Sequence, residues 1–202
     1  MGKEIELKYK LPEDVCADDV FENALVKPYL SGAIYEIAMN STYFDTPDGA
    51  LSKNRRTLRL RLENNVSVVT VKTPLDSSGA LATRGEWQVN AESVRDAIAP
   101  LEKLGAPQDV LKLAAGELCV VAQFSFIRKC ATVKCSDFCA ELCADVGFLS
   151  PDGIKKTPLR EVEIELISGD ITSLCAFGKL LAARLSLTPE KLSKQARARN
   201  LR

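Results

Sequence analysis

The sequence predicts an α+β fold in which antiparallel strands close into a barrel and helices pack on its outside. Three observations lead there. Charged and apolar residues alternate in several separate runs, the period-two pattern of strands with two unlike faces. Other stretches carry apolar residues at helical spacing. Finally, so many strands present two or three charges on one face that an open sheet would leave them without a common environment. Curling the sheet into a barrel turns the apolar faces outward against helices and the charges into a polar lumen. About eight strands leave an interior able to hold one small ligand.

Taken in order, Glu4–Tyr9 places Glu4, Glu6 and Lys8 on one face and Ile5, Leu7 and Tyr9 on the other. Glu13 to about Lys27 reads as a helix. Thr57–Leu62, Val66–Lys72 and Thr83–Val89 alternate as strands, with Arg59 and Arg61 sharing a face, and Arg84 with Glu86. Glu92–Leu104 and Gln108–Ala114 have helical spacing, and Gln123–Lys134 with Phe138–Val146 form a hairpin around Ser136-Asp137. Arg160–Leu166 is the last alternating run and carries Glu161, Glu163 and Glu165 on one face. Asp170 caps a helix running to Leu187, and Thr188-Pro189-Glu190 reads as a cap followed by proline at the first position of a final helix. Pro47-Asp48-Gly49 and Asp76–Gly79 are loops. No repeat or domain-length linker interrupts the chain, so its 202 residues form one domain spanning 1–202.

With 46% apolar and 27% charged residues, the chain is globular rather than disordered. Its 27 Lys and Arg balance 27 Asp and Glu, so no generic nucleic-acid or membrane surface is expected, and any polyanion site is local. There is no histidine, which removes Ser-His-Asp and Cys-His nucleophile activation, His acid/base chemistry and His metal sites. The opening residues contain no apolar signal region, so a cytoplasmic location and reduced thiols for the seven cysteines are expected. Leu174–Leu187 is interrupted by Lys179 and Arg184, as in a packed helix rather than a membrane span.

The expected lumen holds both signs of charge. Glu4, Glu6, Glu86, Asp145, Glu163 and Glu165 are its acids; Lys8, Arg59, Arg61, Lys72, Arg84, Arg128 and Lys194 are its bases. Burying either set without partners costs several kcal/mol per ion. A polyphosphate carrying divalent cations uses both: Arg and Lys take phosphate oxygens, and clustered carboxylates take Mg2+ or Mn2+.

These residues resemble the CYTH domain of the triphosphate tunnel metalloenzymes, whose Glu-x-Glu-x-Lys opening is matched by Glu4-Ile-Glu-Leu-Lys8. Tyr43-Phe-Asp-Thr-Pro47, Leu58-Arg-Leu-Arg61, Thr70-Val-Lys72, Arg84-Gly-Glu86, Arg128, Ala144-Asp-Val-Gly147, Glu161-Val-Glu-Ile-Glu165 and Ser193-Lys194 follow in the family's order. The resemblance implies an eight-stranded antiparallel tunnel and metal-dependent chemistry on a triphosphate. It implies Glu4, Glu6, Glu163 and Glu165 as metal carboxylates with Asp145 assisting, and Lys8, Arg59, Arg61, Lys72, Arg84, Arg128 and Lys194 as phosphate ligands. Lys8 and Glu86 are the expected catalytic pair, Glu86 orienting a cation or a water. Gln88 stands where the family often has a further charge, which bears on the number of metals. Glu141 and Glu161 share the lumen parity but are expected nearer the tunnel mouth.

The implied reaction is attack of water on a terminal phosphoryl group of inorganic triphosphate or of a nucleoside or thiamine triphosphate. Activation of that water is open between a metal and a lumen carboxylate. A class IV adenylate cyclase and a binding module that holds polyphosphate without hydrolysis are the competing functions. The expected partner is a small-molecule triphosphate, with no nucleic acid and no membrane, and a homodimer stays open. Cys130, Cys135, Cys139 and Cys143 would scatter along a hairpin, so they read as small buried residues rather than a zinc site. Trp87 has the opposite parity to Glu86 and belongs among the outer helices.

Overall fold

The computed structural model describes residues 2–150 and 155–201. Its strands are β1 (Gly2–Lys10), β2 (Leu30–Asp45), β3 (Thr57–Glu63), β4 (Val66–Ser78), β5 (Leu81–Asn90), β6 (Cys119–Lys134), β7 (Phe138–Ser150), β8 (Thr157–Gly169) and a two-residue β9 (Thr188–Pro189). Hydrogen bonding runs β5-β4-β3-β2-β6-β7-β8-β1, and β1 returns to β5, so eight antiparallel strands close on themselves. Closure leaves these eight strands without a free edge. The seam is β1, which pairs with β5 through Gly2–Leu7 and with β8 through Glu6–Lys10, while β9 covers Tyr9 and Lys10 where β5 ends.

The helices are α1 (Ala17–Glu22), α2 (Ala50–Lys53), α3 (Val94–Lys103), α4 (Gln108–Ala114), α5 (Ile171–Leu185) and α6 (Lys194–Arg199). As the alternation requires, apolar strand faces meet them outside the barrel. Leu7 and Tyr9 of β1, Leu142 and Ala144 of β7 and Val162 and Ile164 of β8 pack against Leu174, Phe177 and Leu181 of α5. Asp170 caps α5, its carboxylate accepting from Ser173 N at 2.7 Å. Gly178 lets the helix approach β1, since a Cβ there would lie 2.4 Å from Leu7 Cδ1 and 2.8 Å from Tyr9 Oη. A second outer core joins Val69, Val71 and Trp87 to Ala97 and Leu101 of α3 and Val110 of α4, which puts Trp87 outside the lumen as expected.

Several elements depart from the sequence reading, among them the loop expected over Asp76–Gly79, where β4 continues to Ser78. The sixteen-residue β2 is absent from that reading: the outward residues Asn40 and Thr42 are uncharged and the first half of the strand is largely exposed, so charged/apolar alternation never develops. The helix expected over Glu13–Lys27 shrinks to α1, followed by a 3-10 turn at Lys27–Tyr29 with proline at its start. Thr188-Pro189 does not start the last helix. It pairs with β1, and the cap is Ser193, whose hydroxyl accepts from Ala196 N at 3.1 Å. Proline is tolerated at Pro189 because β9 is short and lies at a strand edge.

Candidate functional site

Inside the barrel the side chains divide into two zones. Met39 and Tyr43 from β2, Phe124 and Phe126 from β6, Leu149 from β7 and Leu159 from β8 form an apolar cluster with Ala198 of α6. Gly147 permits β7 to lie close to β6 here, as a Cβ would meet Phe126 Cα at 2.4 Å. The rest of the lumen is a charged cavity of about 250 Å³. It is bordered by Glu4, Glu6, Lys8, Arg59, Arg61, Lys72, Arg84, Glu86, Arg128, Glu163, Glu165 and Lys194, so the strand alternation and the closure bring these expected site residues together. Asp145 alone of the expected set does not border it.

Register explains the convergence. Glu4 of β1 lies opposite Arg84 of β5, Glu6 opposite Glu165 and Lys8 opposite Glu163 of β8, and Arg128 of β6 opposite Asp145 of β7. Cross-strand neighbours on one face are within reach of each other's side chains.

Most of these ions are paired. Lys72 Nζ lies 2.9 Å from Glu4 and 3.2 Å from Glu86; Arg84 contacts both Glu4 and Glu6; Lys8 lies 3.0 Å from Glu6 and 3.5 Å from Glu163. Burial alone would raise the Glu4 carboxyl, but Lys72 and Arg84 outweigh it and bring its pKa down to about 2. Burial also opposes ionisation of Glu163, and Arg128 and Lys8 overcome it and hold that carboxyl far below the usual range.

A denser knot lies beneath α6. Asp145 accepts from Arg128 Nε and Nη2, both at 2.7 Å, and its Oδ2 lies 3.0 Å from Lys194 Nζ. Lys194 also contacts Glu161 and lies 3.0 Å from Glu163, and Arg197 closes on Glu161. Asp145, Glu161 and Glu163 could gather around a metal ion, yet Lys194 Nζ already reaches all three, and burial pulls its pKa well below the ordinary lysine value against the attraction of Asp145. Asp145, expected to assist the metal, binds Arg128 and Lys194 here. Glu161 is fully buried under Arg197 and not at a mouth, because α6 folds over that end of β8.

Two charges stand apart. Arg59 is 6% exposed and donates to Thr70 Oγ1 at 3.0 Å; burial opposes its charge, Tyr43 and Glu86 outweigh that and raise its pKa, and it forms no ion pair with a carboxylate among the described residues. Arg61 beside it pairs only with Glu63; burial and the neighbouring Arg59 lower its pKa to about 10. Glu165 is the opposite case. It forms no ion pair among the described residues, and burial together with Glu4 and Glu86 raises its pKa to about 7 despite Lys72. Buried charges are normally paired, and Arg59 and Glu165 form no ion pair among the described residues.

Several lumen residues escaped the sequence reading. Thr57 Oγ1 donates to Gln195 Oε1 at 2.9 Å and so ties β3 to α6, with both side chains bordering the cavity. Tyr43 approaches Arg59, and Arg197 joins the acidic knot. The parity of Tyr43 with Asp45 and the i, i+3 spacing of Lys194 and Arg197 were their signals. Asp45 itself is structural: Oδ1 accepts from Leu51 N at 2.8 Å and Oδ2 from Ser52 N at 3.1 Å, fixing α2.

The CYTH domain profile matches residues 2–198. Among solved structures, the Hippeastrum protein HpAC1, described as an adenylyl cyclase candidate with a dominant triphosphatase activity, has 19% identity over 98% of this chain and 96% of its own, with a TM-score of 0.65. A candidate adenylate cyclase from Bacillus halodurans has 18% identity over 96% of both chains and a TM-score of 0.54. The Mimivirus capping enzyme triphosphatase has 12% identity over 91% of this chain and 89% of its own, with a TM-score of 0.51. At these identities the structures speak for the fold, the same closed barrel. With a profile match over nearly its full length, this chain belongs to the CYTH family.

Proposed function

We propose that the protein hydrolyses a triphosphate with a divalent cation, Mg2+ or Mn2+, inside the charged lumen. The observation that carries this reading is the placement in one cavity of a buried Arg59 and a Glu165 that form no ion pair among the described residues. A metal-free anion would satisfy the first and a bare cation the second, whereas a metal triphosphate satisfies both.

Oxygen ligands suit Mg2+ and Mn2+. Glu165 with Glu4 and Glu6 would hold the ion, joined by Glu163 from the edge of the knot, where Arg128 and Lys194 also engage it. When bound, the ion neutralises phosphate oxygens as charge develops on them. Arg59 and Arg61 grip one end of the triphosphate, and Lys72, Arg84 and Arg128 line its path. Lys8 faces the reacting phosphoryl group. Glu86 keeps Lys72 aimed into the cavity from 3.2 Å. Asp145 and Lys194 fix Arg128 and the roof of the lumen. Donors held in place before the reaction stabilise the charge that grows on the transferring and leaving oxygens.

The test is phosphate release from inorganic tripolyphosphate and from ATP, with and without Mg2+ or Mn2+, with cyclic AMP assayed in parallel. Metal-dependent phosphate release supports the proposal. Cyclic AMP as the main product from ATP would assign a cyclase, and tight tripolyphosphate binding without turnover would assign a binding module.

A further inference from the structure

Cys130 and Cys143 face each other across β6 and β7, one step along from the Arg128–Asp145 pair. By parity with that pair, both side chains turn into the barrel. Their sulfurs are 2.9 Å apart, and both residues are buried. Glu141, two residues before Cys143, borders the charged cavity and sits across from Glu165 on β8. Its carboxylate is held at both oxygens: Oε1 accepts from the Tyr35 hydroxyl at 2.9 Å and Oε2 from Cys143 Sγ at 3.5 Å. Two sulfurs and one carboxylate oxygen therefore lie within 4.8 Å of one another. Cys135 and Cys139, the other cysteines of the hairpin, stand outside this cluster.

We infer that Cys130, Cys143 and Glu141 form a second metal site in the tunnel wall, one that takes a thiophilic divalent cation of the Zn2+ class rather than Mg2+ or Mn2+. Ligand chemistry separates the two sites. Thiolates select zinc-like ions, whereas an all-carboxylate set suits hard ions. Glu141 decides between metal capture and a simple dithiol: its carboxylate completes a three-ligand site with a fourth position for water, and the charge of a bound divalent cation would offset the repulsion between that carboxylate and two thiolates. Tyr35 supplies the supporting hydrogen bond that orients a ligating carboxylate. On binding, two thiol protons pass to solvent and no electron is transferred. Zn–S bonds of about 2.3 Å in a tetrahedron need sulfurs about 3.8 Å apart, so the pair must open by about one ångström. Arg128, beside Cys130, does not compete for these ligands because Asp145 and Glu163 engage it.

The reduced protein, with Mg2+ in excess to fill the hard-ion site, is titrated with Co2+ as a spectroscopic substitute for Zn2+. The expected result is thiolate-to-cobalt charge-transfer absorption saturating at one equivalent and displaced by Zn2+. Cys130→Ser and Cys143→Ser each abolish it, whereas Cys135→Ser and Cys139→Ser retain it. Tyr35→Phe, which leaves all three ligands, weakens Co2+ binding about 10-fold or more. Should a serine variant fail to fold, Glu141→Gln carries the test, with loss of affinity expected. Absence of the band, its survival in either core serine variant, unchanged affinity in Glu141→Gln, or closure of Cys130 and Cys143 into a disulfide in preference to metal uptake would each overturn the site.

Discussion

Two groups of carboxylates share one barrel wall and have opposite fates. Asp145, Glu161 and Glu163 are closer to an ion-binding cluster in shape, but Lys194, Arg128 and Arg197 neutralise them from within the protein. Glu165, beside Glu4 and Glu86, lacks such a partner, and its raised pKa records the deficit. Proximity and charge balance thus pick out different carboxylates in one lumen. The same reasoning singles out Arg59 among seven lumen cations as the one that forms no ion pair with a carboxylate among the described residues.

The strongest way to break this contrast is to remove the internal cation. Lys194→Met leaves Asp145, Glu161 and Glu163 facing one another, and a loss of about 3–5 kcal/mol is expected, as for other buried pairs deprived of one partner. Thermal unfolding with and without Mg2+ checks it; a variant as stable as the parent would show that the knot is not held by Lys194. Arg59→Gln should do the reverse. Removing a buried charge that forms no ion pair among the described residues changes the melting temperature little, while kcat/KM for tripolyphosphate falls about 100- to 1000-fold, the range for one donor to developing charge. Loss of stability in step with activity would argue that Arg59 supports the fold instead.

A smaller effect sharpens the acidic side. Because the folded-state pKa of Glu165 is raised to about 7 from 4.5, the carboxyl is protonated in both folded and unfolded protein below 4.5. Its destabilising effect grows as pH rises from 4.5 and is complete above 7. Glu165→Gln should thus stabilise the metal-free protein at pH 8 by on the order of 1–2 kcal/mol, a rise of roughly 2–8 °C at this chain length, and the gain should fade as pH falls through 7. A gain independent of pH would contradict the assignment. Smallest is Tyr43→Phe, which removes a polar contact from Arg59 and nothing from the apolar cluster. A change in KM of about fivefold is expected, from a hydrogen bond worth about 1 kcal/mol, with kcat little altered.

The barrel and most of the lumen were legible because one strand pattern encodes both. In β1 and β8 three or more successive alternate residues are charged, so Glu4, Glu6, Lys8, Glu161, Glu163 and Glu165 announce a strand and a wet face together. β2 fails that test, since its inward face is Met39, Ser41 and Tyr43 and supplies part of an apolar filling that no charge marks. Lys194 was legible only through family resemblance. Its lumen position follows from Ser193 starting a short helix over the barrel end, a tertiary event with no local period. The ion-pair pattern was not readable at all, because it depends on which of several nearby cations wins each carboxylate.

The seam has one more consequence. β1 carries Glu4, Glu6 and Lys8, yet its neighbours are β5 and, more than a hundred residues downstream, β8. A nascent chain must hold its first strand in waiting until the penultimate hairpin has emerged. Acquisition of ligand affinity should therefore be among the last events of folding, and tripolyphosphate would act as a clasp, favouring molecules in which the ring has shut.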